Sequence, residues 1–197
     1  MSDPQTLGVY AAQAQKYADL TDDANSADPR LSAFIEDLPD AGAVLDLGCG
    51  PGQSAALMAQ AGLAVTAFDP VPEMVEMAAR HDNVTARVAS FDDVEGESIY
   101  DGVWANFSLL HAPRADMPRH LAAIAKALKS GGRFHIGVKT GTGSHRDSIG
   151  RLYTYYTEDE LTGLLEAAGL SVFDRAEGVD AGLSGEDAHW ICLAARA

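Results

Sequence analysis

The run AVLDLGCGPG, Ala43 to Gly52, limits what this chain can fold into more than any other stretch. Ala43, Val44, Leu45 and Leu47 make an apolar run of strand length, and Gly48, Gly50 and Gly52 then alternate with Cys49 and Pro51. A helical pattern follows, with Ala55, Leu57, Met58 and Ala61 as its apolar positions and Gly62 as its stop. Three glycines remove three Cβ atoms at a sharp bend, which predicts a loop whose bare peptide N–H groups lie open to a ligand. Strand, glycine loop and helix, in that order, place a bound molecule at the carboxyl ends of the strands of an open α/β sheet.

The spacing sharpens this. A dinucleotide fingerprint reads GxGxxG and brings a pyrophosphate onto a helix N-terminus. Here the pattern is GxGxG, with Asp46 two positions before the first glycine. The run LDLGCGPG resembles motif I of the class I S-adenosylmethionine-dependent methyltransferases. The resemblance implies an α/β, Rossmann-like fold: a seven-stranded, mostly parallel sheet with helices on both faces and an antiparallel last strand. It also implies S-adenosylmethionine as cofactor, S-adenosylhomocysteine as product, and Asp46, Gly48, Cys49 and Gly50 among the residues that hold them.

A chain of 197 residues is long enough for one full core. One domain is expected over 1–197, with N-terminal helices over 1–40 covering the cofactor site and the core over 41–197. The formal net charge is −15, from 29 acidic and 14 basic residues. Such a surface repels phosphate backbones and anionic lipid, which disfavours nucleic-acid and membrane partners. Cys49 and Cys192 are far apart and have no CxxC or histidine partner at ligand spacing, so free thiols and no metal site are expected. No apolar run approaches the ~18 residues that span a bilayer, and no basic-then-apolar leader opens the chain; a cytoplasmic protein is the expectation.

Residues 8–20 read as an amphipathic helix with Tyr10 and Tyr17 two turns apart on one face. Both rings can simply pack on the body. The resemblance implies a second role, an N-terminal helix over the cofactor with a tyrosine hydroxyl near its methionine carboxylate, and Tyr17 is the better placed. TDDANSAD reads as a linker, and Asp28-Pro29 as N-cap and first residue of a helix burying Leu31, Phe34, Ile35 and Leu38.

Leu63 to Phe68 is the second strand, closed by Asp69. That acid stands about twenty positions beyond the loop, where α/β nucleotide sites keep a carboxylate for ribose hydroxyls. Each such charge-assisted bond is worth ~1.5–3 kcal/mol. The resemblance sets Pro70, Val71 and Met74 against the adenine. Val84 to Ala89 is the third strand, followed by Ser90, Phe91 and Asp92. The family's acid or amide for the adenine amino group is met by Ser90 in one alignment and by Asp92 in a slipped one, with Phe91 beside the ring.

Tyr100 to Lys139 resembles the same family in its order of elements and its KSGG turn: a strand over Tyr100 to Ala105, a loop from Asn106 to His111, a helix from about Asp116 and a strand over Arg133 to Val138. Leu121, Ile124, Ala125 and Leu128 form the helix's inner stripe, with Lys126 and Lys129 in its last turn. Asn106 falls on the cofactor side of that loop. GTGSHRDSIGR reads as a mobile loop by composition, and Thr157-x-x-Glu160 as a capping box. Leu170 to Phe173 and His189 to Ala195 read as the closing antiparallel strands. SLLHAPR, the VKTGTG turn and the late tyrosines resemble small bacterial methyltransferases of the tellurite-resistance group.

The sulfonium methyl of such a cofactor is already activated, so alignment and exclusion of water carry much of the rate, and no nucleophilic triad is needed. His111, in the loop that faces the methyl group in the resembled fold, is the candidate base or substrate ligand. Lys139, Arg151, Tyr153 and His189 lie where the family places its acceptor and together suit an anionic or polar small molecule. The expected activity is methyl transfer to such a molecule; the alternative is a non-catalytic S-adenosylmethionine-binding sensor or partner protein.

Overall fold

A computed structural model of the chain describes residues 3–26 and 28–197. In chain order its strands are β1 (Ala43–Leu47), β2 (Ala64–Asp69), β3 (Val84–Val88), β4 (Tyr100–Asn106), β5 (Leu128–Lys139), β6 (Ser144–Arg146), β7 (Leu152–Thr154), β8 (Ser171–Ala181) and β9 (Asp187–Arg196). The helices are α1 (Pro4–Ala12), α2 (Ala14–Ser26), α3 (Pro29–Glu36), α4 (Gln53–Gln60), α5 (Pro72–Ala78), α6 (Met117–Ala127) and α7 (Glu158–Ala167). Seven strands form one sheet in the order β3-β2-β1-β4-β5-β9-β8, with β9 antiparallel to both neighbours and the other adjacent pairs parallel.

Strand periodicity explains the layers. Alternate side chains of a strand point to opposite faces, and here both faces are buried. Val44 joins Val65, Ala67 and Trp104 against Leu31 and Phe34 of α3 and Ala55 and Met58 of α4. Leu45 and Leu47 go to the other face with Val103, Ala105, Leu121 and Ile124 of α6 and Leu161 and Leu165 of α7. Three polar side chains of the sheet are buried as well, Asp46, on the α4 side, Asp69 and His135.

The sequence expectations hold for the first strand, its loop and the following helix, and for the Asp28 cap, whose carboxylate accepts from the Arg30 amide at 2.9 Å. Four places differ. The helix expected over 8–20 is two helices that part at Gln13, where φ is −119°. The stretch read as a linker is helical as far as Ser26. Lys129 lies in β5 rather than in the last turn of α6, because that helix stops at Ala127 and its backbone extends at Leu128. The glycine- and serine-rich stretch after Lys139 is a hairpin, with Ser144, His145 and Arg146 paired to Thr154, Tyr153 and Leu152. At Thr157 half of the capping box forms: its side chain accepts from the Glu160 amide, while the Glu160 carboxylate pairs with Arg114.

The N-terminal helices sit over the carboxyl ends of the strands. Ala14 packs against Val71 and Met74, with Leu7, Tyr10, Ala11, Tyr17 and Met77 around them. Polar ties fasten α1 to the hairpin: Arg146 pairs with Asp3 at 2.8 Å, and the Leu152 amide donates to the Thr6 hydroxyl at 2.8 Å.

Candidate active site

The glycine loop lies between β1 and α4, and its amides are not bare. Gly48 and Cys49 both donate to the Phe68 carbonyl, at 2.8 and 2.9 Å, and Gly52 donates to the Cys49 carbonyl at 3.1 Å. The Gly50 amide donates to Asp69 Oδ2 at 2.9 Å. This corrects the expectation of open N–H groups: the loop turns these hydrogens inward and offers no nest for a phosphate. All three glycines hold positive φ, 80°, 53° and 88°. Their side-chain space differs. A Cβ on Gly48 would run into Ser108, and one on Gly52 would lie 2.7 Å from Ala78, so these two glycines serve packing. At Gly50 the nearest atom is an edge carbon of Tyr17 at 3.4 Å, and this is the position where bare backbone borders a cleft.

That cleft, about 520 Å³, is lined among others by Gly48, Gly50, Asp69, Val71, Met74 and Phe91, with Tyr10 and Tyr17 as its cover. A contiguous cleft on the α4 side is lined by Asp46, Cys49, Gln53, Trp104 and Asn106. Asp69 accepts from Gly50 through Oδ2 and from Val71 through Oδ1, each at 2.9 Å, which leaves each oxygen room for a further donor. Burial pushes its carboxyl up to about 6. Asp46 is held harder: burial, then the nearby Asp69, push it up to about 8. Its Oδ2 is buried with no hydrogen-bond partner among the described residues. A buried carboxylate oxygen without a donor is costly unless something cationic or hydrogen-bearing meets it. The cleft therefore offers an apolar slot, a carboxylate at the end of β2 and an orphaned carboxylate oxygen at the end of β1. An adenosyl group with a ribose diol, an ammonium and a sulfonium fits this donor set; a pyrophosphate does not.

A match to the family described as methyltransferase domain covers residues 44–132, from β1 into the start of β5. Ubiquinone biosynthesis O-methyltransferase of Xanthomonas axonopodis pv. citri is 36% identical over 121 residues, covering 57% of this chain and 50% of that protein. Its counterpart from Methylobacterium nodulans is 29% identical over 171 residues, covering 75% of this chain and 65% of that protein. The chain thus spans about half to two thirds of the length of these relatives. Among solved structures, the 1,6-didemethyltoxoflavin-N1-methyltransferase of Burkholderia thailandensis, bound to 1,6-didemethyltoxoflavin and S-adenosylhomocysteine, superposes with a TM-score of 0.72 at 28% identity over 96% of this chain and 87% of that one. A methyltransferase from Methanosarcina mazei shares the fold, with a TM-score of 0.74 at 17% identity over 86% of this chain and 97% of that one.

Residues 44–132 thus match a methyltransferase domain, and the fold is that of the S-adenosylmethionine-dependent methyltransferases. These relatives lend no support to the finer resemblance to the tellurite-resistance group.

Of the residues expected on the cofactor side of a class I methyltransferase, Tyr17, Asp46, Gly48, Cys49, Gly50, Asp69, Pro70, Met74, Phe91 and Asn106 line the two connected clefts. Ser90 is not among the lining residues. Its hydroxyl donates to Asp93 at 2.8 Å and accepts from the Asp92 amide, capping the short turn that carries Phe91 inward. Asp92, the slipped candidate, pairs with Arg119 at 2.6 Å. Asn106 is steadied by a contact that sequence reasoning missed: its Oδ1 lies 3.0 Å from His135 Nε2, and that ring stacks on Trp104 at 3.7 Å.

A larger space of about 1200 Å³ adjoins the cleft across Tyr10, Tyr17 and Phe107. Lys139, Arg151 and Tyr153 line it, as does Trp190. His189, the fourth expected residue, is exposed and does not line it. The reason is parity: β9 places Ala188 and Trp190 on the cavity side, and the residue between them faces away. Lys139 Nζ sits 3.9 Å over the Tyr153 ring, and burial followed by the nearby Arg151 cation lowers its pKa. Arg151 is nearly sealed off and pairs with Asp147 at 2.8 Å. His111 lines the smaller cleft, with both ring nitrogens engaged: Nδ1 is 2.8 Å from the Leu152 carbonyl and Nε2 is 2.9 Å from the Tyr10 hydroxyl. Burial holds its imidazole down at about 4, so the ring is neutral.

Proposed function

We propose that this chain transfers a methyl group from S-adenosylmethionine to a small, anionic or polar acceptor, working as one unit in which the N-terminal helices close over the cofactor. The observation that carries the reading is the orphaned Asp46 oxygen beside a glycine loop whose amides point inward. Such a lip seeks a cation. In this reading Asp46 holds the ammonium group and Asp69 the ribose diol. Val71, Met74 and Phe91 flank the adenine, and Tyr17 covers the ligand at Gly50. The cofactor, when bound, supplies a methyl group on a positively charged sulfur.

The chain's own residues then align an acceptor and keep out water. Lys139 is the cation free to meet an anionic group, because Arg151 is committed to Asp147. Phe107, Tyr153 and Trp190 give the cavity aromatic walls suited to a planar molecule. The Tyr10, Tyr17 and Phe107 partition sets the acceptor beside the cofactor, so that proximity and desolvation do most of the work. The test is incubation of purified protein with methyl-labelled S-adenosylmethionine and a small-metabolite extract. Labelled product together with S-adenosylhomocysteine is the expected result. Tight binding of the cofactor with no transfer would instead favour the sensor or partner-protein reading.

A further inference from the structure

We propose that Tyr10 is a catalytic residue: its hydroxyl joins the acceptor cavity to His111, and the proton lost by the acceptor on methylation passes through it to His111 Nε2. This rests on the methyltransferase reading and adds to it a residue of α1, a direction of proton flow and a class of acceptor.

The direction follows from the hydrogen bonds. A carbonyl oxygen only accepts, so His111 Nδ1, 2.8 Å from Leu152, carries the ring hydrogen, and Nε2 of the neutral ring offers a lone pair. The Tyr10 hydroxyl, 2.9 Å from Nε2, therefore donates to it. Arg151, which has no lone pair to offer, donates to the same hydroxyl oxygen at 3.0 Å. Every bond in the cluster points toward Leu152. His111 lines the cofactor cleft but not the acceptor cavity, whereas Tyr10 and Tyr153 face that cavity. At Tyr10 the cavity thus meets a phenol oxygen with one lone pair left and no hydrogen to give. An acceptor docked there must bring its own: a hydroxyl or a ring N–H. With aromatic walls and the Lys139 ammonium beside it, the class is a planar phenol or nitrogen heterocycle bearing an anionic group.

The step balances without an oxidant. The acceptor's lone pair forms the new bond to the methyl carbon while the carbon–sulfur pair stays with sulfur. Positive charge builds on the attacking atom, and its hydrogen becomes strongly acidic. That proton goes to the phenol oxygen of Tyr10 as the Tyr10 proton passes to Nε2. The imidazolium is then held by the Leu152 carbonyl until it releases the proton to solvent. A base as weak as this buried histidine suffices, because the group it deprotonates is cationic by then. The cations Arg151 and Lys139 face the ring and disfavour its charged form, and Asp147 behind Arg151 favours it.

The test has one arm without turnover. Nitrogen-edited NMR of the cofactor-free protein is expected to show His111 as the Nδ1–H tautomer titrating near 4. Tyr10→Phe removes the donor to Nε2 and is expected to raise that midpoint by about half to one pH unit, with S-adenosylhomocysteine affinity changed by no more than about threefold. In the second arm the acceptor probe is protocatechuate, a planar phenol carboxylate. Tyr10→Phe and His111→Gln are each expected to lower kcat by about 100-fold, and the double variant no further. An Nε2–H tautomer in the wild type, wild-type kcat in Tyr10→Phe, or losses that multiply in the double variant would overturn the relay. Wild-type protein that binds S-adenosylmethionine yet leaves protocatechuate unmethylated overturns the acceptor class. Failure to bind S-adenosylmethionine at all overturns the underlying methyltransferase reading instead.

Discussion

The cleft proposed for the cofactor and the cavity proposed for the acceptor share the wall made by Tyr10, Tyr17 and Phe107, yet they are built by different means. The cleft is largely main chain: a glycine loop pinned by the Phe68 carbonyl and by Asp69, with strand-end carboxylates on either side. The acceptor cavity is assembled from side chains of α1, α2, β5, β7 and β9, and its central hydrogen bond joins Tyr10 to Arg151 across 141 positions of sequence. Contacts of the first kind demand particular residues at short spacing, because φ, turn geometry and strand ends are local. Contacts of the second kind depend on how distant elements dock. In the proposed reading the first region seats one cofactor, and the second can be re-lined for many acceptors without touching it.

The two regions should therefore answer differently to substitution. The largest expected effect is Gly50→Val, which puts a branched side chain at φ 53° and into the 3.4 Å approach of Tyr17. Cofactor affinity should fall more than about 1000-fold, below detection by calorimetry, while circular dichroism stays native. Next is Arg151→Met on the acceptor side. Its buried partner Asp147 would be left uncompensated, at a cost of ~3 kcal/mol or more in stability by denaturant titration. Cofactor affinity in the protein that remains folded should hold. Asp69→Ala should weaken cofactor binding about 10- to 100-fold, the loss expected for ~1.5–3 kcal/mol of ribose contact. Unchanged affinity in a folded variant would remove Asp69 from the site. The smallest is His189→Ala, which faces away from the cavity and should change kcat/KM by less than about twofold; a large loss would contradict the strand parity.

Legibility in the sequence divides along the same line. The β1–loop–α4 unit, Asp69 at the end of β2 and the loop after β4 stand where residue spacing puts them. Loop geometry was only half legible: spacing marks the bend but not the direction of its amides, which depends on the Phe68 carbonyl in the neighbouring strand. Ser90 looks like a ligand group by position, but its nearest partner, Asp93, claims it. The hairpin of β6 and β7 is hidden because its glycines and serines read as loop, while its ties run to distant residues, the N-cap Asp3 and Thr6 of α1. His189 illustrates the limit of a strand read one residue out of phase. The proximity of Tyr10 and His111 has no local signal, since the pair is brought together only when α1 crosses the strand ends.

The central claim is that the cleft is an acid-lined seat for a cationic adenosyl ligand, and the pH dependence of binding tests it most directly. In the free protein Asp46 is protonated until about pH 8 and Asp69 until about 6, whereas His111 stays neutral above about 4. The ligand ammonium pairs with ionised Asp46, so binding pulls its proton off. Affinity for S-adenosylhomocysteine should then rise from pH 6 to 8, by at most about tenfold per unit for each proton released. Calorimetry at pH 7 in buffers of different ionisation enthalpy should register that release, and Asp46→Asn should abolish both effects. Binding that is independent of pH, or no binding at millimolar ligand where a dinucleotide binds instead, would contradict the account.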